Sequence, residues 1–193
     1  MNLRRLIPAF TLLLLAGCNI LPEAQPDPTR FYVLPETMAD LANPAGVTLG
    51  LLAPELPAYL TNSRAMAVAS SDSQITYRDF DRWAEPLDQG ISRVLRTALA
   101  SQPGIRRALP TPFTAEDVRD YDLRVRVHHC EGLDSGGIRF VLSYEIVQLD
   151  GTLVAASTYR APLGDWSGDP GDLARRLAAA VTAAATTIAA DLP

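Results

Sequence analysis

Alternating apolar and polar residues in the C-terminal half of the chain predict a meander of three strands. From Tyr121 to His128 the apolar residues occupy the odd positions and the polar residues the even ones. The stretch from Ile138 to Ile146 alternates in the same way, and Asp150-Gly151, a strong signal for a two-residue hairpin, separates it from Thr152 to Ala161. Because a period of two is typical of a strand with one buried face, the meander is predicted to bury one side.

Two other segments repeat their apolar residues with a helical period. Between Ala84 and Ser101 the apolar residues form one stripe of an amphipathic helix, at Leu87, Ile91, Val94, Leu95, Ala98 and Leu99. Pro86 is tolerated in the first turn, where backbone N–H groups lack partners, and Pro103-Gly104 ends the helix. The Ala-rich stretch Asp169 to Asp191 steps its apolar residues by three or four, which predicts a second helix covering the sheet.

The remaining β-rich segments are short and are interrupted by proline or polar turns. They are Arg30 to Leu34, Val47 to Ala53, a hairpin of Arg64 to Ser70 with Gln74 to Tyr77, and Arg106 to Leu109. The order strands, helix, strands, helix favours the α+β class over a doubly wound parallel sheet. We therefore predict a two-layer sandwich over residues 30–193, with a mostly antiparallel sheet covered by two helices.

The N-terminus has the pattern of an export signal. Arg4 and Arg5 precede the apolar stretch Leu6 to Leu15, which is too short for a membrane-spanning helix of ~20 residues. Ala16-Gly17 immediately before Cys18 resembles a bacterial lipobox. Residues 1–17 are thus predicted to be a lipoprotein signal peptide. The alternatives are an ordinary signal peptide that contains a cysteine, or a buried apolar helix.

Lipidation of Cys18 would tether the domain to a bilayer without a transmembrane span, since two or more acyl chains hold a protein stably. Asn19 in the next position favours sorting to the outer membrane over the inner membrane, with the domain facing the periplasm. Leu21 to Thr29 contains three prolines, two acids and little apolar content, which is typical of an extended tether. Residues 18–29 are therefore predicted to be the lipidated cysteine and a flexible tether.

Charge and cysteine content exclude several classes of protein. The 193 residues carry 17 basic and 22 acidic side chains, a net charge of −5, whereas a nucleic-acid-binding protein shows a basic patch. Two cysteines are too few for a disulfide-stapled scaffold. If Cys18 carries lipid, Cys130 is left alone, and we expect a buried, unreactive thiol.

The cluster with the most chemical potential is His128-His129-Cys130-Glu131, with Asp134 nearby. On a regular strand, His128 and Cys130 would face one side while His129 and Glu131 would face the other. Neither pair supplies the ligands of a metal site, and neighbours on one strand are not oriented like a nucleophile and its base. The chain also has no P-loop, G-x-G-x-x-G or G-x-S-x-G motif. We predict no catalytic residue, no metal site and no cofactor.

Three aromatic residues flank polar turns and are candidates for contact with a partner protein: Tyr59, Phe80 and Trp83. For two of them a structural role is the alternative. Trp83 precedes the first long helix and could pack beneath its start. Tyr59 could instead fill the edge of the sheet.

Several segments together resemble the ABC-type transport auxiliary lipoprotein component family, the PqiC/YmbA-like proteins. Phe31-Tyr32-Val33-Leu34-Pro35 is similar to the opening "YYxLP" strand of the family. Leu56-Pro57-Ala58-Tyr59-Leu60 is similar to "LPxYL", and the stretch from Trp83 to Ile91 is similar to "WAxPLxxxI" at the start of the first helix. The resemblance extends over about Arg30 to Leu192.

The resemblance implies a non-catalytic auxiliary subunit on the outer membrane that works with an MCE-domain protein and an ABC permease and ATPase in envelope lipid transport. In the PqiC-like branch the lipoprotein forms a homo-oligomeric ring. The alternative function is a small periplasmic hydrolase acting on cell-wall or lipid substrates. A third reading is a domain that itself holds a lipid in an apolar groove.

Overall fold

The computed structural model describes residues 25–37 and 45–193, which form eight strands and three helices. The strands are β1 (Arg30–Tyr32), β2 (Val47–Leu51), β3 (Ala65–Ala69), β4 (Ile75–Trp83), β5 (Ile105–Pro110), β6 (Tyr121–Leu133), β7 (Ile138–Gln148) and β8 (Leu153–Arg160). The helices are α1 (Ala58–Thr61), α2 (Leu87–Ala100) and α3 (Pro170–Ala190). Of the described helices, none has the length and apolar character needed to cross a membrane. The predicted signal peptide and Cys18 lie outside the described residues.

The strands form one sheet organised around β6. On one side, β6 pairs with β7, and β8 extends the sheet beyond β7. On the other side, β6 pairs with β2 near its start, where Tyr121 lies opposite Leu49, and with β3 near its end, where Gly132 lies opposite Val68. β5 flanks β2, while β4 and then β1 continue the sheet beyond β3. Two successive strands, β2 and β3, therefore share one side of β6.

The α+β class is confirmed, but the sheet is mixed. Its antiparallel pairings are β3–β4, β6–β7 and β7–β8, which are the hairpins that the alternation and turn signals predict. Four further pairings are parallel: β1–β4, β2–β5, β2–β6 and β3–β6. The prediction of a mostly antiparallel sheet is thus right only for strands that a tight turn connects. The parallel pairings join segments that are distant in sequence, and local patterns carry no signal for them.

The predicted helical stripes form the core. All six apolar residues of the α2 stripe are buried, and so are Leu173, Leu177, Val181, Ala184 and Ile188 of α3. α2 packs against α3 and β5, and α3 also contacts β6 and β7. α3 also buries several alanines, such as Ala178 and Ala185, whose small side chains allow close packing. Full burial of each larger aliphatic side chain contributes about 1.5–3 kcal/mol, so the two stripes hold the helices on the sheet.

Arg93 on α2 attaches the N-terminal segment to the domain. Its guanidinium donates to the Leu34 carbonyl oxygen at 2.9 Å and to Glu85 at 2.5 Å, and it forms an ion pair with Glu36 at 3.2 Å. The Leu34 side chain beside it is 1% exposed. The chain that follows the predicted tether is therefore fastened to α2 as well as to β4.

Tyr144 links the sheet to the C-terminal end of α3 and should make the stability of the domain depend on pH in the alkaline range. Its hydroxyl donates to the Asp191 carboxylate at 2.5 Å. Burial, followed by that hydrogen bond, raises the pKa of Tyr144 from 10.0 to about 12. A folded-state pKa above the unfolded value stabilises the protein below the unfolded pKa, and this contribution is lost as the pH rises.

We therefore expect the free energy of unfolding to fall between pH 10 and about 12, and to fall less in Tyr144→Phe. Chemical denaturation of both proteins across this pH range measures the difference. Equal pH dependence of the two proteins would contradict a raised Tyr144 pKa.

Candidate functional site

A β-bulge in β6 decides which way the candidate chemical residues point. Val127 lies opposite Leu142 but His129 lies opposite Val141, so His128 is an extra residue in the ladder. After the bulge the alternation is reversed, and Cys130 faces the core opposite Phe140. The expectation that His128 and Cys130 share one side is therefore wrong. The reason is that a one-residue shift moves every later side chain to the other face.

The three polar residues of this cluster lie on the side away from the core. His128 Nε2 is 2.9 Å from the Ser143 hydroxyl, on the exposed surface. His129 is partly exposed, and its Nδ1 lies 2.9 Å from Glu131 Oε1. Glu131 itself has no exposed surface. A Cys130–His128 catalytic dyad is not formed, because the thiol and the imidazole project to opposite sides of the sheet.

Burial also removes Cys130 as a nucleophile. The residue is 2% exposed and its thiol is free. Burial, with a smaller contribution from the negative Glu131, raises the pKa of the Cys130 thiol far above its ordinary value. A thiol with a raised pKa holds its proton, whereas the reactive form is the thiolate. This placement agrees with the expectation of a buried, unreactive thiol.

Glu131 is the centre of a buried polar network. Its carboxylate accepts hydrogen bonds from Arg139 Nε at 2.6 Å, from the Tyr59 hydroxyl at 2.9 Å and from the Cys130 backbone N–H at 2.7 Å. Arg139 also pairs with the exposed Asp72 at 3.2 Å. A buried charge is tolerated when it is paired and hydrogen-bonded, and both conditions hold for Glu131.

The network occupies a break in the pairing of β6, which we call the β6 gap (residues 128–131). Along this side of the strand, Glu55 exchanges backbone hydrogen bonds with Val125 and Val127, and β3 pairs again from Gly132. Between these points the chain leaves β6 to form α1. Among the described residues, no strand pairs with the β6 gap on this side.

Tyr59 on α1 fills the β6 gap. Its hydroxyl lies 3.2 Å from the His128 carbonyl oxygen, while Glu131 accepts from the Cys130 N–H. The single Tyr59 hydroxyl proton is thus shared between Glu131 and the His128 carbonyl oxygen, and two side chains contact backbone groups that a neighbouring strand would otherwise satisfy. The Tyr77 hydroxyl donates to the Tyr59 carbonyl oxygen at 2.9 Å and holds α1 from the other side. Burial and the negative Glu131 raise the pKa of Tyr59.

The three predicted contact residues have different surroundings. Tyr59 is partly buried, and its hydroxyl is engaged by the β6 gap. Trp83 is 4% exposed and belongs to the core just before α2, the position that its structural alternative predicts. Phe80 is 55% exposed. Of the three side chains, only that of Phe80 offers substantial surface to a partner.

Two exposed residues beside Phe80 were not singled out from the sequence. Phe31 is 63% exposed and Val33 is 50% exposed. Phe31 lies opposite Arg82 in the β1–β4 pairing, so these two side chains project from the same face, and the exposed Phe80 precedes Arg82 by two residues on β4. We call Phe31, Val33 and Phe80 the edge patch. In the sequence, both residues belong to the unbroken apolar run from Phe31 to Leu34, which predicts a strand but does not show which of its side chains are exposed.

The outer side of β6–β8 carries an open groove of about 350 Å³. Most of its lining side chains are charged or carry hydroxyl groups, including Glu55, Arg126, Ser143 and Glu145. Arg126 pairs with Glu55 at 2.8 Å, but both side chains are about two-thirds exposed, so the pair contributes little to stability. Such a surface does not match the apolar groove that a bound lipid chain would need.

Within the described residues, no three or more His, Cys, Asp or Glu side chains are arranged around a common point. This part of the chain therefore offers no support for a metal site. The polar network at Glu131 is closed by Arg139 and Tyr59. These contacts hold α1 against β6.

Removing the Tyr59 hydroxyl should destabilise the domain. Tyr59→Phe removes one hydrogen-bond donor from Glu131 and the hydroxyl contact of the His128 carbonyl oxygen. This loss is expected to lower the free energy of unfolding by about 1–3 kcal/mol. Tyr77→Phe is the matched control, because it removes one hydroxyl from a more exposed tyrosine on β4, whose hydroxyl contacts the α1 backbone and not the β6 gap. Urea denaturation compares the variants, and an equal or larger loss in Tyr77→Phe would contradict the role of Tyr59 in the β6 gap.

Two crystal structures share the fold of this chain. One is an uncharacterised protein, 22% identical, with a TM-score of 0.70 over 86% of this chain and 99% of that one. The other is a DUF330-family protein from Xanthomonas campestris, 18% identical, with a TM-score of 0.68 over 83% of this chain and 93% of that one. A PelC dodecamer from Paraburkholderia phytofirmans is more distant, with 13% identity and a TM-score of 0.44 over 76% of this chain and 88% of that one.

Among curated proteins, none matches the chain at a significant level. Residues 32–189 match the model of a family described as ABC-type transport auxiliary lipoprotein component. The matched range runs from the end of β1 almost to the end of α3 and contains the β6 gap and Phe80. The protein therefore belongs to the ABC-type transport auxiliary lipoprotein component family.

Proposed function

We propose that the protein is a non-catalytic auxiliary subunit of an MCE/ABC-type lipid transport system, held at the periplasmic side of the outer membrane by lipid on Cys18. The observation that carries this proposal is the family match over residues 32–189. The lipobox-like sequence ending at Cys18 precedes that match in the position that a lipoprotein requires. An ABC permease with its ATPase and an MCE-domain protein are the proposed partners.

The proposed mechanism is positional. Arg30, where β1 begins, follows Cys18 by twelve positions, and such a segment spans at most about 40 Å when extended. The tether ends in a segment that is fastened through Arg93 and through pairing of β1 with β4. Lipid at Cys18 would therefore fix the distance between the bilayer and a rigid domain, and the domain would present its surface to the transport proteins.

The arrangement of the candidate chemical residues supports a role without catalysis. Cys130 faces the core, and the buried Glu131 carboxylate is occupied by Arg139 and Tyr59. A residue that performs chemistry has to reach its substrate with a free lone pair or proton. The alternative of a hydrolase predicts turnover of a cell-wall or ester substrate that is lost in His128→Ala.

Of the three aromatic candidates, we propose that only Phe80 makes a contact outside the domain, with either a partner protein or the membrane, and that Tyr59 and Trp83 support the fold. Tyr59 holds α1 on β6, and Trp83 lies in the core at the C-terminal end of the strand that carries Phe80. Substitution of either residue would change external contacts through the fold.

Lipidation can be tested with the two cysteines as a matched pair. Cells producing Cys18→Ala or Cys130→Ala are grown with a labelled fatty acid, and the protein is then isolated and separated by mass. We expect Cys18→Ala to carry no label and to leave the membrane pool of mature lipoprotein. Cys130→Ala should keep its label, because its thiol is buried. Label retained in Cys18→Ala, or absent from the unaltered protein, would overturn the anchoring proposal.

The partner proposal requires a specific complex. After mild crosslinking in cells, purification of the lipidated protein should recover an MCE-domain protein and the subunits of an ABC transporter. Light scattering of the purified chain, alone and with that MCE-domain protein, would measure whether it forms a ring-like oligomer. Recovery of the chain without these proteins, together with turnover of a cell-wall substrate, would instead support the hydrolase.

A further inference from the structure

The edge patch is an apolar surface on the outermost strands at one side of the sheet. Its three side chains are each at least half exposed, at 63%, 50% and 55% for Phe31, Val33 and Phe80. β1 pairs with β4 and ends this side of the sheet, so the described residues place no further strand beyond it. Isolated exposed apolar residues need no explanation, but three of them grouped at one edge of the sheet indicate a contact surface.

An exposed arginine lies beside the edge patch. Arg82 lies opposite Phe31 in the β1–β4 pairing, so the two side chains project from the same face. Its guanidinium donates to the Asp79 backbone oxygen at 3.2 Å and interacts electrostatically with Asp27. The buried carboxylate of Asp81, on the other face, is neutralised by Arg30 and Arg78, both at 2.8 Å. Apolar rings beside an arginine match the boundary between lipid headgroups and acyl chains, where anionic phosphates lie next to hydrocarbon.

The position of the patch in the chain favours the bilayer as the surface that it contacts. Phe31 follows Cys18 by thirteen residues, so it lies no more than about 45 Å along the chain from the proposed lipid anchor. Leu153, which is equally exposed at 56%, lies at the start of β8 on the opposite side of the sheet. A tether raises the effective concentration of the patch at the bilayer, so even a weak contact between the two would be populated.

We propose that the edge patch rests on the same bilayer that holds the lipid anchor, with Phe31 and Phe80 inserted at the headgroup–acyl boundary and Arg82 contacting headgroup phosphates. This inference rests on the proposed anchoring at Cys18 and adds a second, non-covalent membrane contact. Two attachment points would orient the domain, whereas a tether alone would leave it free to rotate. The side of the sheet that carries β8 would then face away from the membrane, towards the transport partners.

The test uses the lipidated full-length mature protein, reconstituted in vesicles of phosphatidylethanolamine and phosphatidylglycerol that contain brominated lipid. Tryptophan is placed at the patch in Phe80→Trp, with Leu153→Trp as the control of equal exposure. The native Trp83 and Trp166 are 4% and 7% exposed, and the unsubstituted protein gives their background. We expect the added fluorescence of Phe80→Trp to be blue-shifted and lost to bromine quenching, and that of Leu153→Trp to be unaffected.

A second probe, Phe31→Trp, keeps the test decisive if Phe80→Trp does not fold, and it should be quenched in the same way. Flotation of the protein with the vesicles is measured in parallel. Flotation without quenching at either patch position would overturn the membrane contact while leaving the anchor intact. Failure to float would overturn the proposed anchoring itself. A photo-crosslink from position 80 to an envelope protein in cells, in the absence of quenching, would assign the patch to a protein partner.

Discussion

The structure depends on satisfying the backbone of β6, a strand longer than either of the strands that pair with it on one side. β2 and β3 cover its two ends, and the chain between them leaves the sheet to form α1. The Tyr59 hydroxyl and the Glu131 carboxylate take the place of the missing strand at His128 and Cys130. A buried carbonyl or N–H group that lacks a hydrogen-bond partner lowers the free energy of unfolding by about 1–3 kcal/mol.

The bulge at His128 makes this arrangement possible. In a regular strand, Glu131 would point into the apolar core, and Cys130 would take the polar side. One extra residue reverses the two, so that the carboxylate meets Arg139 and the thiol meets Phe140. An unpaired carboxylate in the core would be far more costly than the local disruption of the ladder. The residues His128 to Glu131, which most resemble a reactive site in the sequence, therefore stabilise the sheet where β6 lacks a neighbouring strand.

From β6, the same sheet leads outward through β3 and β4 to β1, where the chain from the proposed lipid anchor joins the domain. Arg93 and the β1–β4 pairing fasten this junction to the domain, so the proposed lipid anchor at Cys18 would hold the sheet through it. The edge patch lies directly at the junction, and the meander that ends in β8 lies on the far side.

The sequence by itself determined the local elements, because their causes are local. The α2 stripe from Leu87 to Leu99, the hairpin at Asp150-Gly151 and the lipobox-like residues before Cys18 are all visible as spacings along the chain. Tertiary structure alone decided the parallel pairings, the bulge at His128 and the burial of Trp83. Each of these depends on which distant segment lies alongside: β3 opposite Gly132, α1 opposite Glu131, or the core beneath Trp83. A period of two predicts a strand but carries no information about its neighbour or about one added residue, and both set the direction of every side chain in the site.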